Sequence, residues 1–181
     1  TLAYRAARRY LGSWLKSDRL PPATFEQPPA PDTTMASMAT GVEGPAQTRF
    51  AFRGVARNEK DYPASEVLAR ILFNRLAQNT NGAKGFVTNA AHLLPGFIVL
   101  GMEGVAESTN LPALLLSKEI SDAEFAAAQG EVASVNSRIP ADHRWLNADT
   151  YKLASVTADQ SAFNAVTLAD VRSLALRLSR N

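Results

Sequence analysis

The sequence predicts an α+β domain in which helices pack on one face of a mainly antiparallel sheet. Three observations carry the prediction. Strand signals cluster in the middle of the chain, helical periodicities flank them, and a Pro95-Gly96 dipeptide separates two of the strand candidates. Strict alternation in the strongest strand candidate adds that only one face of the sheet is covered.

The elements follow in order. Residues 2–17 read as an amphipathic helix, with Tyr4, Ala7, Leu11, Trp14 and Leu15 on one face and Arg5, Arg8, Arg9 and Lys16 towards the other. The arginines read as a solvated helix face. Residues 19–32 hold Pro21, Pro22, Pro28, Pro29 and Pro31, which lack the N–H of regular structure and restrict the residue before them. This is an extended connector, read as a strap over its own domain. Residues 33–40 are a weaker strand candidate, followed by a turn region at 41–45. In residues 47–55, Thr48, Phe50 and Phe52 alternate with Gln47, Arg49 and Arg53, the pattern of a half-covered strand. Asp61-Tyr62-Pro63 starts a helix to about Gln78, with Asp61 as cap, Pro63 in the first turn and Val67, Leu68, Ile71, Leu72 and Leu76 as its core stripe.

A turn-rich stretch, 79–85, leads to a strand candidate at 86–92. Leu94-Pro95-Gly96 suits a type II turn, and Phe97-Ile98-Val99-Leu100 reads as a buried strand, so 86–93 and 96–103 are expected to pair antiparallel. The remainder is helical. Ser121 with Glu124 and Thr167 with Asp170 form two capping boxes. Phe125, Ala128, Val132, Val135 and Ile139 make a core stripe until Pro140 interrupts; 141–154 continue it with Trp145, Leu146 and Leu153. The last helix, 168–179, is expected to bury Leu168, Val171, Leu174 and Leu178. No internal repeat is present, and residues 1–181 read as one domain.

Composition bounds the function. With 181 residues the chain is long enough for a sizeable core. The absence of Cys excludes disulfides, thiolate zinc sites, iron–sulfur clusters and a Cys nucleophile. Net charge is +2 but uneven: residues 1–90 carry 12 Lys and Arg against 7 Asp and Glu, and residues 91–181 carry 7 against 10. No aromatic-interleaved basic cluster accompanies the basic half, so nucleic acid is not an expected partner. No stretch approaches the ~20 apolar residues of a membrane span. The opening Thr1-Leu2-Ala3-Tyr4-Arg5 enters helical periodicity at once, which reads as part of a longer or processed chain.

The chemistry of the side chains is sparse. The two histidines, His92 and His143, stand 51 positions apart, and neither lies in HExxH or HxxEH, the spacings that bring two imidazoles to one zinc. Asp142 next to His143 would tune its pKa, but no GxSxG elbow supplies a nucleophile. Gly82-Ala83-Lys84-Gly85 lacks the spacing of a phosphate loop. Acidic residues such as Asp122, Glu124 and Asp170 are explained as helix-start residues. No catalytic or metal-ligating residue is assigned.

The order of segments nonetheless resembles a known family. Ala6-Ala7-Arg8-Arg9-Tyr10-Leu11-Gly12-Ser13-Trp14 and the proline-rich connector, the strand with Gln47, the Asp61-Tyr62-Pro63-Ala64 helix start, Ile71-Leu72 leading to Arg75-Leu76, Ile120-Ser121-Asp122-Ala123-Glu124-Phe125, and Ala165-Val166-Thr167-Leu168-Ala169-Asp170-Val171 are similar to segments of insulinase/pitrilysin-type zinc peptidases. The chain looks like most of one of that family's repeated domains, of the non-catalytic, C-terminal type, and the resemblance implies a metallopeptidase-like two-layer α/β sandwich. It implies no cofactor in this chain, with zinc only in a catalytic partner domain of the same or a neighbouring polypeptide, a peptide as substrate, and a bacterial, periplasmic setting. Substrate-binding roles for Arg75 and Phe86 are implied in the same way, from the Arg/Tyr pair such domains contribute.

Two departures qualify this. The family's Leu-Arg-Glu is absent after Arg75-Leu76, and the tyrosine position holds Phe86, which cannot donate a hydroxyl hydrogen bond to an oxyanion. Residues 107–117, broken by Pro112, are short where the family has a full helix. The expected function is that of a non-catalytic domain forming the peptide-binding chamber with a catalytic domain, with an exposed sheet edge offering backbone bonds to peptide. The alternatives are a structural or assembly subunit with no role in proteolysis, favoured by these departures, and a nucleic-acid module driven by Arg5, Arg8 and Arg9.

Overall fold

Alternating side chains put Thr48, Phe50 and Phe52 on one side of the first strand, and that side is the one the fold covers. The computed structural model describes residues 2–11, 47–79, 84–103 and 115–179. In chain order the elements are α1 (Leu2–Leu11), β1 (Gln47–Arg53), α2 (Tyr62–Asn79), β2 (Gly85–Asn89), β3 (Phe97–Glu103), α3 (Asp122–Ser137), α4 (Ala141–Thr150), α5 (Val156–Asn164) and α6 (Leu168–Leu178). The expected strap at 19–32, the strand at 33–40, the turn at 41–45, the end of the first helix and most of 107–117 lie outside the described residues.

The described strands form an antiparallel sheet in the order β1-β3-β2. Register places Phe52 and Asn89 beside Ile98, Phe50 and Val87 beside Leu100, and Thr48 and Gly85 beside Met102. These rows face α2. Helix α2 buries Val67, Leu68, Ile71, Leu72 and Leu76 as its stripe predicts, together with Tyr62, Ala64, Ser65 and Ala69. It is buried over more than one face because the sheet lies on one side and α3 and α6 on the other. Burying one such Leu or Ile contributes about 1.5–3 kcal/mol. Leu115, Ile120, Ala128, Val171, Leu174 and Leu178 complete the core.

Local signals fix the helix starts. Both capping boxes form: the Glu124 N–H donates to Ser121 Oγ and the Ser121 N–H to Glu124 Oε2 (3.3 and 3.0 Å), and Thr167 and Asp170 repeat the exchange (3.3 and 2.9 Å). Asp61 presents its main-chain carbonyl to the Ser65 N–H (2.9 Å), while its carboxylate pairs with Arg177 on α6 (2.9 Å).

Three expectations need correction. The paired strands are shorter than 86–93 and 96–103: β2 ends at Asn89, and seven residues, 90–96, join it to β3. The chain leaves the ladder there because loop backbone is tied to the segment after β1, with the Gly54 N–H donating to Gly96 O and the Arg57 N–H to His92 O (2.9 and 2.8 Å). Trp145 and Leu146 are not core; they stand 70% and 63% exposed, and no residue of α4 is buried. Helix α4 is held instead by Arg144, whose guanidinium donates to Ile139 O and Asn136 O at the end of α3 (2.9 and 2.5 Å). Val135 is also exposed, at the rim of a small cavity beside Glu66 rather than against α2. In addition, Tyr4, on the apolar side of α1, is exposed.

One helix was not separately legible. Residues 156–164 form α5, started by Ser155, whose hydroxyl accepts from the Ala158 N–H (2.9 Å). It is separated from α4 by Lys152 in the left-handed region (φ 55°), with the Leu153 N–H donating to Ala148 O (2.9 Å) and the Lys152 N–H to Asp149 O (3.4 Å). This is a Schellman stop with lysine where glycine is usual.

Candidate functional site

The two residues singled out from the sequence lie on opposite sides of the sheet. Arg75 is on α2, among the helices, with 4% of its surface exposed. Its five N–H donors all have acceptors: Nε and Nη2 hold the two oxygens of Glu124 (2.8 and 3.1 Å), Nη1 reaches Leu115 O and Lys118 O (2.5 and 2.9 Å), and Nη2 reaches Glu119 O (3.0 Å). Glu124 is at the same time the capping residue of α3. The Arg75 guanidinium, assisted by the Ser121 N–H and hydroxyl, lowers the Glu124 carboxyl to about 2. One side chain thus fastens residues 115–119 and the start of α3 to the middle of α2.

Phe86 is on the helix-free side, because its neighbour Val87 packs on the core. Register puts Arg49, Gly101 and Phe86 in one row across β1, β3 and β2. The Phe86 ring lies on Gly101, where a Cβ would overlap it, and the Arg49 guanidinium sits over the ring at 5.4 Å. At the far end of β1, Arg53 sits over the Phe97 ring at 5.1 Å. Ala51, Val99 and Thr88 form the row between. Arg49, Ala51, Thr88 and Phe97 are exposed, so among the described residues no element covers this face at these positions.

A second polar group lies at the helix–sheet junction and was missed in the sequence. Arg57 is buried in a bidentate pair with Asp159 of α5 (2.8 and 2.6 Å), and its guanidinium lies over the Tyr62 ring at 4.6 Å. The Tyr62 hydroxyl donates to Glu66 Oε1 (2.5 Å), which also accepts from Asn89 Nδ2 (3.2 Å); the same amide donates to Ser65 Oγ (3.0 Å). Burial raises the Glu66 carboxyl above its ordinary value, against hydrogen bonds from Tyr62 and Asn89 and the charge of Arg57. Burial and the neighbouring Glu66 also raise the Tyr62 phenol. The one signal in the sequence was a lone Glu within an apolar helical stripe.

The histidines give no metal centre. His92 is exposed in the loop before β3, and His143 is exposed in the first turn of α4. Among the described residues no group of three or more His, Asp or Glu side chains is placed to hold a metal ion. A zinc site of the imidazole type does not fit this set. No described helix is long and apolar enough to cross a membrane.

An α+β domain with helices on one face of an antiparallel sheet, an open opposite face and no zinc motif is the class this geometry defines. No family model matches the sequence, and no curated protein matches it. Solved structures do share its fold. The chain is similar to the inactive domain of an M16 peptidase from Pseudomonas fluorescens, at TM-score 0.58 and 16% identity, covering 75% of this chain and 39% of that one. A protease from Helicobacter pylori gives TM-score 0.59 and 18% identity over 72% of this chain and 38% of that one. The inactive peptidase domain of a proposed zinc protease from Bordetella parapertussis gives TM-score 0.56 and 18% identity over 75% and 86%. The chain spans less than two fifths of the length of the first two of these proteins. The chain shares its fold with these inactive peptidase domains.

Proposed function

We propose that this chain is a non-catalytic domain of an insulinase-like zinc peptidase, forming the wall of a peptide-binding chamber with a catalytic domain that carries the zinc motif. The observation that carries the reading is the fold shared with inactive peptidase domains, in a sequence whose only two histidines are outside HxxEH. In this reading zinc belongs to the partner. Phe86, on the open sheet face, is the residue that meets peptide, and Arg75 acts from among the helices by holding the start of α3 in place. Phe86 offers a ring but no hydroxyl, so its contribution is to binding and not to stabilising an oxyanion.

The test is reconstitution. The purified chain is mixed with the HxxEH-bearing polypeptide of the same reading frame or its neighbour, and association and turnover of a fluorogenic peptide are measured. The expected result is a stable complex that hydrolyses the peptide at least tenfold faster than the catalytic polypeptide alone. A complex with unchanged turnover would assign the chain to structural assembly instead, and no association would remove the proposal.

A further inference from the structure

A cavity of about 200 Å³ lies where α2, β2 and α3 meet, on the helix side of the sheet. Three kinds of surface converge in it. Phe73, Val87 and Val132 make an apolar wall. Glu66 brings a carboxylate whose Oε1 accepts from the Tyr62 hydroxyl (2.5 Å) and from Asn89 Nδ2 (3.2 Å), while Oε2 takes neither bond. Asn136 brings its Nδ2, the one buried side-chain nitrogen or oxygen among the described residues without a hydrogen-bond partner. A buried donor left unpaired is destabilising, so the cavity is short of an acceptor. Arg70 adds a half-buried guanidinium, over the Phe73 ring at 5.4 Å and with Nε 3.4 Å from Glu131 Oε2. The chamber-wall reading uses none of these groups.

We propose that this cavity binds a free α-amino acid with an aliphatic side chain: its ammonium on Glu66, its carboxylate on Asn136 Nδ2 and Arg70, and its side chain on Phe73, Val87 and Val132. An α-amino acid carries these three groups on one carbon, so a single small molecule meets all three surfaces. Size agrees. The cavity is below the ~300–1,000 Å³ of sites for drug-sized ligands, which limits the occupant to about one residue. An ammonium is a compact point charge that suits one carboxylate oxygen, whereas a guanidinium fork wants both, and Oε1 is already taken. Burial holds the Glu66 carboxyl above its ordinary value despite the bonds from Tyr62 and Asn89 and the charge of Arg57. The site is therefore short of positive charge, which an ammonium supplies. The inference stands apart from the chamber-wall reading and does not need it.

The experiment is titration calorimetry with amide NMR on the full chain, using L-leucine as the probe. Leucine is compared with leucinamide, which lacks the carboxylate, isocaproate, which lacks the ammonium, and glycine, which lacks the side chain. The tripeptide Leu-Ala-Ala, whose carboxylate lies two residues further on, completes the series. Leucine is expected to bind at least tenfold more tightly than each of the others and to shift the Val87 and Asn136 amide resonances. E66Q keeps an acceptor for Tyr62 and Asn89 and should bind leucine at least tenfold more weakly. N136A should weaken binding several-fold, while D149N, an exposed carboxylate in the last turn of α4, should bind as the unaltered chain does. If E66Q does not fold, N136A and the ligand series decide. Equal binding of leucine and isocaproate, or unchanged binding by the folded variants, overturns the proposal. So does equally tight binding of Leu-Ala-Ala, because the cavity would then take a peptide end. Shifts at Thr157 and Phe163 in place of Val87 overturn it as well, because they line the larger groove that Asn136 also borders.

Discussion

The helical side of the sheet and its open side use arginine in opposite ways. Among the helices, Arg75 has every donor taken by Glu124 and three main-chain carbonyls, and Arg57 is closed in a bidentate pair with Asp159. On the open face, Arg49 and Arg53 are laid over the Phe86 and Phe97 rings and donate to Gln47 Oε1 and Pro95 O. Burial explains the difference. A charge taken out of water must be paired, and its pairing then holds elements together. A charge nearer water gains little from pairing, and contact with a ring is enough to place it.

Breaking the buried arrangement should cost the most. Arg75→Met takes the buried guanidinium from Glu124 and from the carbonyls of 115, 118 and 119, and should destabilise the chain by about 3–5 kcal/mol in urea unfolding. Loss of less than about 1 kcal/mol would show that the network is not what fastens α3 to α2.

On the open face, Gly101→Ala would force the Phe86 ring aside. Because that ring can swing towards solvent, the expected cost is about 1 kcal/mol. The informative readout is a changed Phe86 ring shift by NMR; an unmoved ring would contradict the close approach.

Two carboxylates sharpen the contrast through pH. Glu124 is depressed in the folded chain, so its stabilisation is present above about 4.5 and is lost as pH falls towards 2. Glu66 is raised by burial, so its contribution runs the other way: it is present below about 4.5 and is lost as pH rises through the folded-state value. Glu66→Gln keeps an acceptor for Tyr62 and Asn89 while removing the buried charge. It should therefore change stability at pH 7 by about 1 kcal/mol or less, upward, and flatten the pH dependence on the alkaline side of 4.5. A marked loss of stability at pH 7 would mean that the charge itself is needed by Arg57.

The smallest effect is expected from Lys152→Gly. Relief of a left-handed lysine should raise stability by about 0.5–1 kcal/mol, read as a small upward shift in Tm. A decrease would show that the Lys152 side chain contributes more than its backbone strain costs.

Much of the fold was legible because it rests on local chemistry. Alternation at Thr48, Phe50 and Phe52, the Val67–Leu76 stripe and the two capping boxes each state a periodicity or a hydrogen-bond exchange within a few residues. What was not legible depends on distant partners. Helix α5 escaped because lysine replaces the glycine that marks a Schellman stop. Trp145 and Leu146 carried the composition of a core segment, but Arg144 turns α4 onto the end of α3 and leaves them in water. For the site, the family resemblance pointed to Arg75 and Phe86 without separating them. That they lie on opposite faces of the sheet follows from register and from Glu124, 49 positions away from Arg75. Arg57, Glu66 and Asn89 meet only once α2 is laid on β2, and no spacing in the sequence announces that cluster.

The central claim, that this domain serves a zinc peptidase without being one by itself, is tested most directly by peptide hydrolysis with the purified chain alone. Turnover of a fluorogenic peptide is measured with added zinc and again after chelation. The account predicts no zinc-dependent hydrolysis above the rate in buffer. Turnover by the chain that requires zinc and disappears with the chelator would contradict it.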